Sequence, residues 1–404
     1  MPLSLNAIEE ARERIGDRVV RTPFSRAANL STLIGCRIHL KLENQQVTGS
    51  FKERGALNRL LTLTEAERAR GVVAASAGNH AQGLAYHATR LGVPATIVMP
   101  MRTPLVKVTR TKRYGARVVL HGANYDEAEA AAHELCAADG AVFVHAFDDE
   151  VIAAGQGTIG LEILEQNPQL DTLVIPIGGG GLIAGIATAI KETNPRIKII
   201  GVEASACPSM RHSVDAGKVT MPPALHTIAD GIAVRRVSPM TLDIVQRYVD
   251  DIVQVEEEEI ASAILQLIEE EKVVAEGAAA TGLAALAYGR IAPERAGRVG
   301  LIICGGNIDI NLIAQIIERG LVQAGRRIRL VLTVPDEPGS LARLTALVAE
   351  LRANVLQIHH DRAFHTPLGQ TEVELTLETR GNDHVEELLE RLRASGYSSV
   401  EQER

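Results

Sequence analysis

Short β-branched runs at residues 71–75, 95–99, 116–120, 172–177, 197–202 and 299–304 alternate with longer helix-like stretches from about residue 37 to residue 318. No other feature of the chain restricts its fold as much. Runs of this length read as strands, and the stretches between them, apolar at three- and four-residue spacing, read as helices. A strand that passes through a helix before the next strand cannot join it by a tight hairpin, so the strands lie parallel and the helices cover the sheet. The runs form two clusters, one ending near Phe147 and one beginning near Val151. The expected fold is therefore α/β in two lobes, a small lobe at about 50–147 and a large lobe at about 1–49 and 148–320, with a cleft between them. Ligands of open parallel sheets bind beyond the carboxyl ends of the strands.

The alternation stops after Leu321. A strand-like run at 328–334, a helical stretch at 341–352, runs at 354–360 and 370–377, a charged amphipathic helix at 384–393 and a last short strand at 398–401 follow in β-α-β-β-α-β order. That order predicts a separate α+β, ferredoxin-like domain over 327–404.

A chain of 404 residues is long enough for two or three domains and a buried site. Its net charge of -8, with 3% aromatic residues and no Trp, offers neither a basic field nor a stacking platform, which excludes nucleic acid as a partner. A small anionic or zwitterionic ligand held by local groups fits better. No run approaches the ~18 uncharged apolar residues of a membrane helix. The N-terminal residues carry Glu9, Glu10, Arg12 and Arg14 in an amphipathic pattern, unlike a leader. Cys36, Cys136, Cys207 and Cys304 are scattered without a CxxC pair, against a disulfide framework or structural zinc. A soluble, cytoplasmic protein with no membrane partner is expected.

The chemistry-bearing residues lie where the runs end. Lys52 follows Phe51 in a polar segment that turns into a helix, so its amine can face a pocket as a covalent nucleophile, although most lysines are solvated surface charges. Ser76, Ala77, Gly78, Asn79 and His80 follow the 71–75 run. Small residues at a strand-to-helix turn expose backbone N–H groups to a carboxylate or phosphate, the bland alternative being an ordinary N-cap with His80 packed behind it. Gly178, Gly179, Gly180 and Gly181, then Leu182, follow the 172–177 run, and consecutive glycines cost enough entropy that something must approach their backbone closely. A phosphate cradle fits. So does a dinucleotide fingerprint, since Gly179, Gly181 and Ala184 match G-x-G-x-x-A and Glu203 stands where a ribose-binding acid would lie, which keeps an NAD-dependent oxidoreductase open. Cys304 is either a buried small hydrophobe or a cleft-facing thiol.

The segment from Glu43-Asn44 to Ala56 around Lys52, Ser76 to His80 followed by Ala81-Gln82-Gly83, the glycines with Leu182, and Cys304-Gly305-Gly306-Asn307 resemble, in order and spacing, the fold-type II pyridoxal-phosphate enzymes, and among them the serine/threonine dehydratase and serine racemase group. Asp336-Glu337-Pro338-Gly339-Ser340-Leu341 and Ala353-Asn354-Val355 resemble an ACT domain, the amino-acid-sensing module attached to many threonine dehydratases. The resemblance implies pyridoxal 5′-phosphate as cofactor, attached through Lys52 beside Phe51. It implies that Gly178 to Gly181 and Leu182 hold the phosphate, that Asn79 bonds the ring's phenolic oxygen, that Cys304 faces the ring nitrogen and that Ser76 to His80 receive the substrate carboxylate. The implied reaction is β-elimination and deamination of L-threonine to 2-oxobutanoate and ammonia, with L-serine giving pyruvate. Serine racemisation and hydroxyaspartate dehydration are alternatives on the same fold. Serine racemases of this group carry a second serine where this chain has Ala77, so elimination with little racemisation is expected. Their divalent-metal site is matched here only by Glu203, because Ser209 stands where an aspartate would be, and no metal is expected. A homodimer or homotetramer is implied. Pro338, Gly339 and Ser340, with Asn354 beside them, are the expected site for an amino-acid effector.

Overall fold

The computed structural model describes residues 2–223, 225–361 and 368–397 and, for the backbone alone, 400–403. Two compact units, Met1–Ile308 and Asp309–Arg404, divide the chain.

The first unit contains β1 (Phe24–Arg26), β2 (Arg37–Leu42), β3 (Val72–Ala75), β4 (Ala95–Met99), β5 (Arg117–Leu120), β6 (Val142–Phe143), β7 (Thr172–Pro176), β8 (Lys198–Ala204), β9 (Asp251–Val255) and β10 (Arg298–Ile303). They form two sheets, one in the order β5-β4-β3-β6 and one in the order β1-β2-β10-β7-β8-β9. Every pair is parallel except β1 with β2, the single antiparallel edge of the larger sheet. β3 and β7 are buried along their whole length, as strands covered on both faces must be. The alternating runs read from the sequence are thus β3, β4, β5, β7, β8 and β10, each within two residues of its expected end.

One helix organises the site from behind. Glu150–Gln166, capped by Asp149 through the Val151 and Ile152 N–H groups, buries most of its surface. It touches two other helices almost backbone to backbone: a Cβ on Gly155 would come within 2.7 Å of Gly55 Cα, and one on Gly185 within 2.2 Å of the Ala153 carbonyl oxygen. Those neighbours are Lys52–Leu61 and Gly181–Thr193. The lysine and the glycine loop therefore share one rigid support.

Charge fixes the lysine helix as firmly as packing does. Arg54 is fully buried and donates to both oxygens of Glu43 at 2.8 Å and to Glu162 at 2.6 and 3.0 Å. Lys41 reaches the same Glu162 at 2.5 Å and the Thr22 carbonyl at 2.8 Å. On the other side of Lys52, Glu53 accepts the Thr48 N–H and lies 3.2 Å from His87 Nε2. Pairs so deep in the fold hold only because each charge has several partners.

The second unit contains β11 (Arg327–Pro335), β12 (Asn354–Asp361), β13 (Gln370–Glu378) and β14 (Val400–Glu403) in an antiparallel sheet ordered β12-β13-β11-β14, with helices Ser340–Glu350 and Asn382–Ala394. Strict alternation along β11 and β13 sends Ile328, Leu330, Leu332, Val334, Val373, Leu375 and Leu377 into one core with Leu344, Val348, Leu388 and Leu392. The last expected strand appears as β14; its proposed beginning at Ser398 and Ser399 lies outside the described residues. The helix Ile310–Gln323, grouped with the α/β region in the sequence reading, belongs to this second unit, where it packs with β11.

Candidate active site

A cavity of about 800 Å³ opens in the first unit where the carboxyl ends of β3, β7 and β10 meet. It is lined by Phe51 and Lys52, by Ser76, Ala77, Gly78, Asn79 and His80, by Gly178, Gly179, Gly180, Gly181 and Leu182, and by Cys304. Every residue read as holding pyridoxal phosphate or substrate thus borders one space, whereas Ala184 and Glu203 of the dinucleotide fingerprint are not among its lining residues.

Backbone pairing sets the relation of Lys52 to Cys304. Ser50 and Gly305 form a short antiparallel bridge, the Phe51 N–H donates to the Cys304 carbonyl at 3.0 Å, and Gly306 N–H donates to the Gly49 carbonyl at 2.9 Å. The helix Lys52–Leu61 then starts at the lysine itself. Its Nζ donates to the Ala146 carbonyl at 2.8 Å and sits 5.2 Å from the centre of the Phe51 ring. Burial brings the Lys52 pKa down from 10.5 to about 8, against the opposing pull of Cys304 and Glu276. Burial, reinforced by Glu276, drives the Cys304 thiol well above its usual range, so the sulfur is neutral.

The glycine loop is confined on two sides. A Cβ on Gly179 would lie 2.4 Å from the Phe147 ring, and Gly180, at φ 93°, has Met210 and Thr241 where a side chain would go. Thr241 Oγ1 donates to the Gly179 carbonyl at 2.8 Å, which pins the loop as it enters the helix Gly181–Thr193. The first N–H groups of that helix have no intrahelical acceptor and can receive an anion. No side chain but hydrogen fits at Gly179.

The asparagine turn behaves differently at each residue. Ser76 Oγ accepts the Gly78 N–H at 3.3 Å, a local turn bond. His80 is buried with Nε2 3.0 Å from the Val144 carbonyl, and burial, with Lys52 nearby, lowers its pKa to about 3, so it is neutral and held to the small lobe. Asn79 is engaged at both ends of its amide: Nδ2 donates to Glu276 Oε1 and Oε2 at 2.8 and 3.0 Å, and Oδ1 accepts Asn307 Nδ2 at 2.8 Å. Sequence reasoning missed Glu276. Its signal was a lone carboxylate inside an otherwise apolar stretch, Val273-Val274-Ala275-Glu276-Gly277-Ala278, where a solvated charge has no place. It also missed His145 and Phe147, which line the cavity from the loop between β6 and the helix Glu150–Gln166.

Glu203 ends β8 with both oxygens engaged, accepting the Met210 N–H at 2.8 Å and the Arg211 N–H at 2.9 Å. It caps the helix Ser209–Ala216. Burial raises its pKa to about 7 in spite of those two bonds. Among the described residues no group of three or more His, Cys, Asp or Glu side chains converges as a metal site would require.

In the second unit a cavity of about 250 Å³ is lined by Pro338, Gly339 and Ser340, with Asp336, His360 and Thr371. Asn354 corrects the expectation that placed it beside them. It opens β12, where Asn354 Nδ2 donates to Glu378 at 3.3 Å, whereas His360 near the far end of the same strand borders the cavity. An eight-residue strand separates the two ends by more than a side chain can span.

Residues 15–305 match the family described as pyridoxal-phosphate dependent enzyme, and residues 328–396 match the ACT domain. The chain is 49% identical over 396 residues, 98% of each sequence, to the L-threonine ammonia-lyase of Geobacter sulfurreducens. Among solved structures it resembles the processed form of threonine deaminase isoform 2 from Solanum lycopersicum, at 36% identity and a TM-score of 0.73 over 79% of this chain and 95% of that one. Maize serine racemase aligns with a TM-score of 0.75 at 34% identity, over 80% of this chain and 99% of that one.

Proposed function

The chain belongs to the pyridoxal-phosphate dependent enzymes and carries an ACT domain, and from that premise we propose that it eliminates water from L-threonine and that water then hydrolyses the released enamine to 2-oxobutanoate and ammonia, with L-serine giving pyruvate in the same way. The observation that carries this reading is the partly desolvated Lys52 amine, set in one cavity with a glycine loop at a helix N-terminus and a neutral thiol. The donor set suits the cofactor: an amine with a pKa of about 8 forms a covalent link near neutral pH, and the loop offers N–H groups where a phosphate would sit. Bound pyridoxal phosphate supplies the electron sink that makes a proton on the substrate's Cα removable.

The chain's own residues do the rest. Lys52 would hold the cofactor covalently, and its amine, when free, would take the proton from the substrate's Cα. Cys304, a neutral thiol, would not keep a ring nitrogen protonated, which weakens the sink and suits prompt loss of the β-hydroxyl. The turn from Ser76 to His80 receives the substrate carboxylate on its N–H groups. Ala77 lines the same cavity and holds no proton, so racemisation has no second donor. Ammonia and 2-oxobutanoate form from threonine in equal amounts, and D-amino acid stays at background. A racemisation rate comparable to deamination would refute the Ala77 argument, and a Lys52→Ala variant that kept both a visible absorption band and activity would refute the whole reading.

The second unit senses an amino acid. The carboxylate docks at the start of the helix Ser340–Glu350, in the cavity bordered by Pro338, Gly339 and Ser340. Activity and melting temperature both respond to isoleucine or valine in this reading, and no change in either on addition of these ligands counts against it. The enzyme works in the cytoplasm as a dimer or tetramer, to be settled by light scattering. No helix among the described residues is long and apolar enough to cross a membrane.

A further inference from the structure

We propose that Glu276 is the positioning residue that fixes which end of the Asn79 amide faces the cofactor ring; the inference rests on the reading of Asn79 as the ring's hydrogen-bond partner. Asn79 is held from two sides by groups of opposite character. On one side Glu276, 4% exposed, accepts from Nδ2 through both carboxylate oxygens. On the other, Asn307 Nδ2 donates to Oδ1, and the same Nδ2 donates to the Thr48 carbonyl at 2.7 Å, which fixes it as a donor. A flipped Asn79 would set its oxygen against the carboxylate and its NH₂ against the NH₂ of Asn307. Both contacts would be repulsive, so the amide has one orientation. Nδ2 carries two protons and Glu276 takes one direction, which leaves one N–H to donate and makes Asn79 a donor toward an oxygen in the cavity.

Glu276 is itself fixed in place. Its N–H donates to the Gly305 carbonyl at 3.0 Å, and a Cβ on Gly305 would strike its Oε1 at 2.5 Å. A Cβ on Gly231 would come to 3.2 Å from the same oxygen. Glu276 thus ties the small-lobe turn at Asn79, through its carboxylate, to the turn after β10, through its backbone N–H, with the turn at Asp230–Ile232 packed beside it. The charged and titratable groups that act on it are Asp230 and Lys107, which pair with each other at 2.5 Å, and Lys52 and Cys304 across the cavity. Burial raises its pKa to about 7; the Asn79 and Asn307 bonds oppose that rise and Asp230 adds to it. When Glu276 takes up a proton it can either donate to Asn79 Oδ1 or accept from Nδ2, so it no longer selects one orientation and Asn307 alone opposes the flip. The hold on the amide therefore weakens as pH falls through about 7.

The test uses the holoenzyme of the full chain. In wild type, the position of the visible cofactor band shifts with pH across a transition near 7, and kcat falls on the acid side of it. Glu276→Gln has an amide that does not titrate, so the transition disappears from both the band and the kcat profile. Loss of orientation lowers kcat by up to about 100-fold, with KM for threonine changed much less. If Glu276→Gln retains the wild-type band, transition and kcat, the inference fails. Asn79→Ala separates this failure from that of the underlying reading: unchanged cofactor affinity and band position in Asn79→Ala would show that Asn79 does not face the ring at all. Should Glu276→Gln not fold, Asn307→Ala is measured in its place. It frees the Asn79 oxygen and is expected to displace the band and lower kcat, and a wild-type spectrum and kcat in that variant overturn the proposal equally.

Discussion

At the scale of single residues, the chemistry depends on desolvation. An amine with a pKa of 10.5 is almost wholly protonated near neutrality; the Lys52 amine, brought to about 8 by burial, is not. Cofactor capture by the apoprotein, followed as the growth of visible absorption, is expected to quicken with pH and level off above about 8. A rate still climbing toward 10.5 would show an ordinary surface lysine. The same shift has a cost in stability. The folded state gives up the Lys52 proton first, so apoprotein stability rises with pH between about 8 and 10.5, and below 8 the penalty is fully present. Lys52→Met therefore stabilises the apoprotein at pH 7 by up to roughly 3 kcal/mol, an advantage that shrinks toward pH 10 in pH-resolved melting. Lys52 was legible in the sequence because its neighbours carry a motif. Glu276 was not, because its partners Asn79 and Asn307 lie far along the chain on either side, and only the fold makes a carboxylate in an apolar run necessary.

Elements decide whether those residues meet. The helix that starts at Lys52 is anchored by Arg54, whose guanidinium neutralises Glu43 and Glu162 where water does not reach. Arg54→Leu keeps the volume nearly constant yet leaves buried Glu43 without its ion-pair partner and Glu162 with Lys41 alone, at an expected loss of about 3–5 kcal/mol in chemical unfolding. A loss below 1 kcal/mol would show that the network is wet or dispensable. Gly179→Ala acts on the opposite support: the new methyl forces the Phe147 ring aside, and the expected outcome is weaker cofactor binding, read from titration of the apoprotein, with a stability loss of about 1–3 kcal/mol. The strands of the parallel sheets were legible as short apolar runs between turn residues. β2 was not, its Arg37, His39 and Lys41 breaking the apolar run, nor were β1 and β6, three and two residues long, nor β9, whose exposed Asp251 and half-buried middle give it a mixed pattern at the sheet edge. The buried ion network was not legible either, since charged residues in sequence read as surface.

Across the whole molecule, the division into Met1–Ile308 and Asp309–Arg404 puts the larger cavity in one unit and the proposed effector cavity in the other. A chain ending at residue 308 contains every residue that lines the larger cavity, so it is expected to deaminate threonine while losing any response to isoleucine or valine. An effector response that survived the truncation would move the sensing site into the first unit. The larger cavity also takes its walls from Phe51 at one extreme and Asn307 at the other. On the ribosome, β10 and the turn after it are the last parts of the first unit to emerge, and until they do the Phe51 N–H lacks the Cys304 carbonyl that seats Lys52. Shorter nascent chains therefore lack a seat for the cofactor, however early the small lobe folds. Vitamin supply acts on chains extended past this turn, and a premature stop before residue 304 is expected to yield a product that excess pyridoxal phosphate does not rescue.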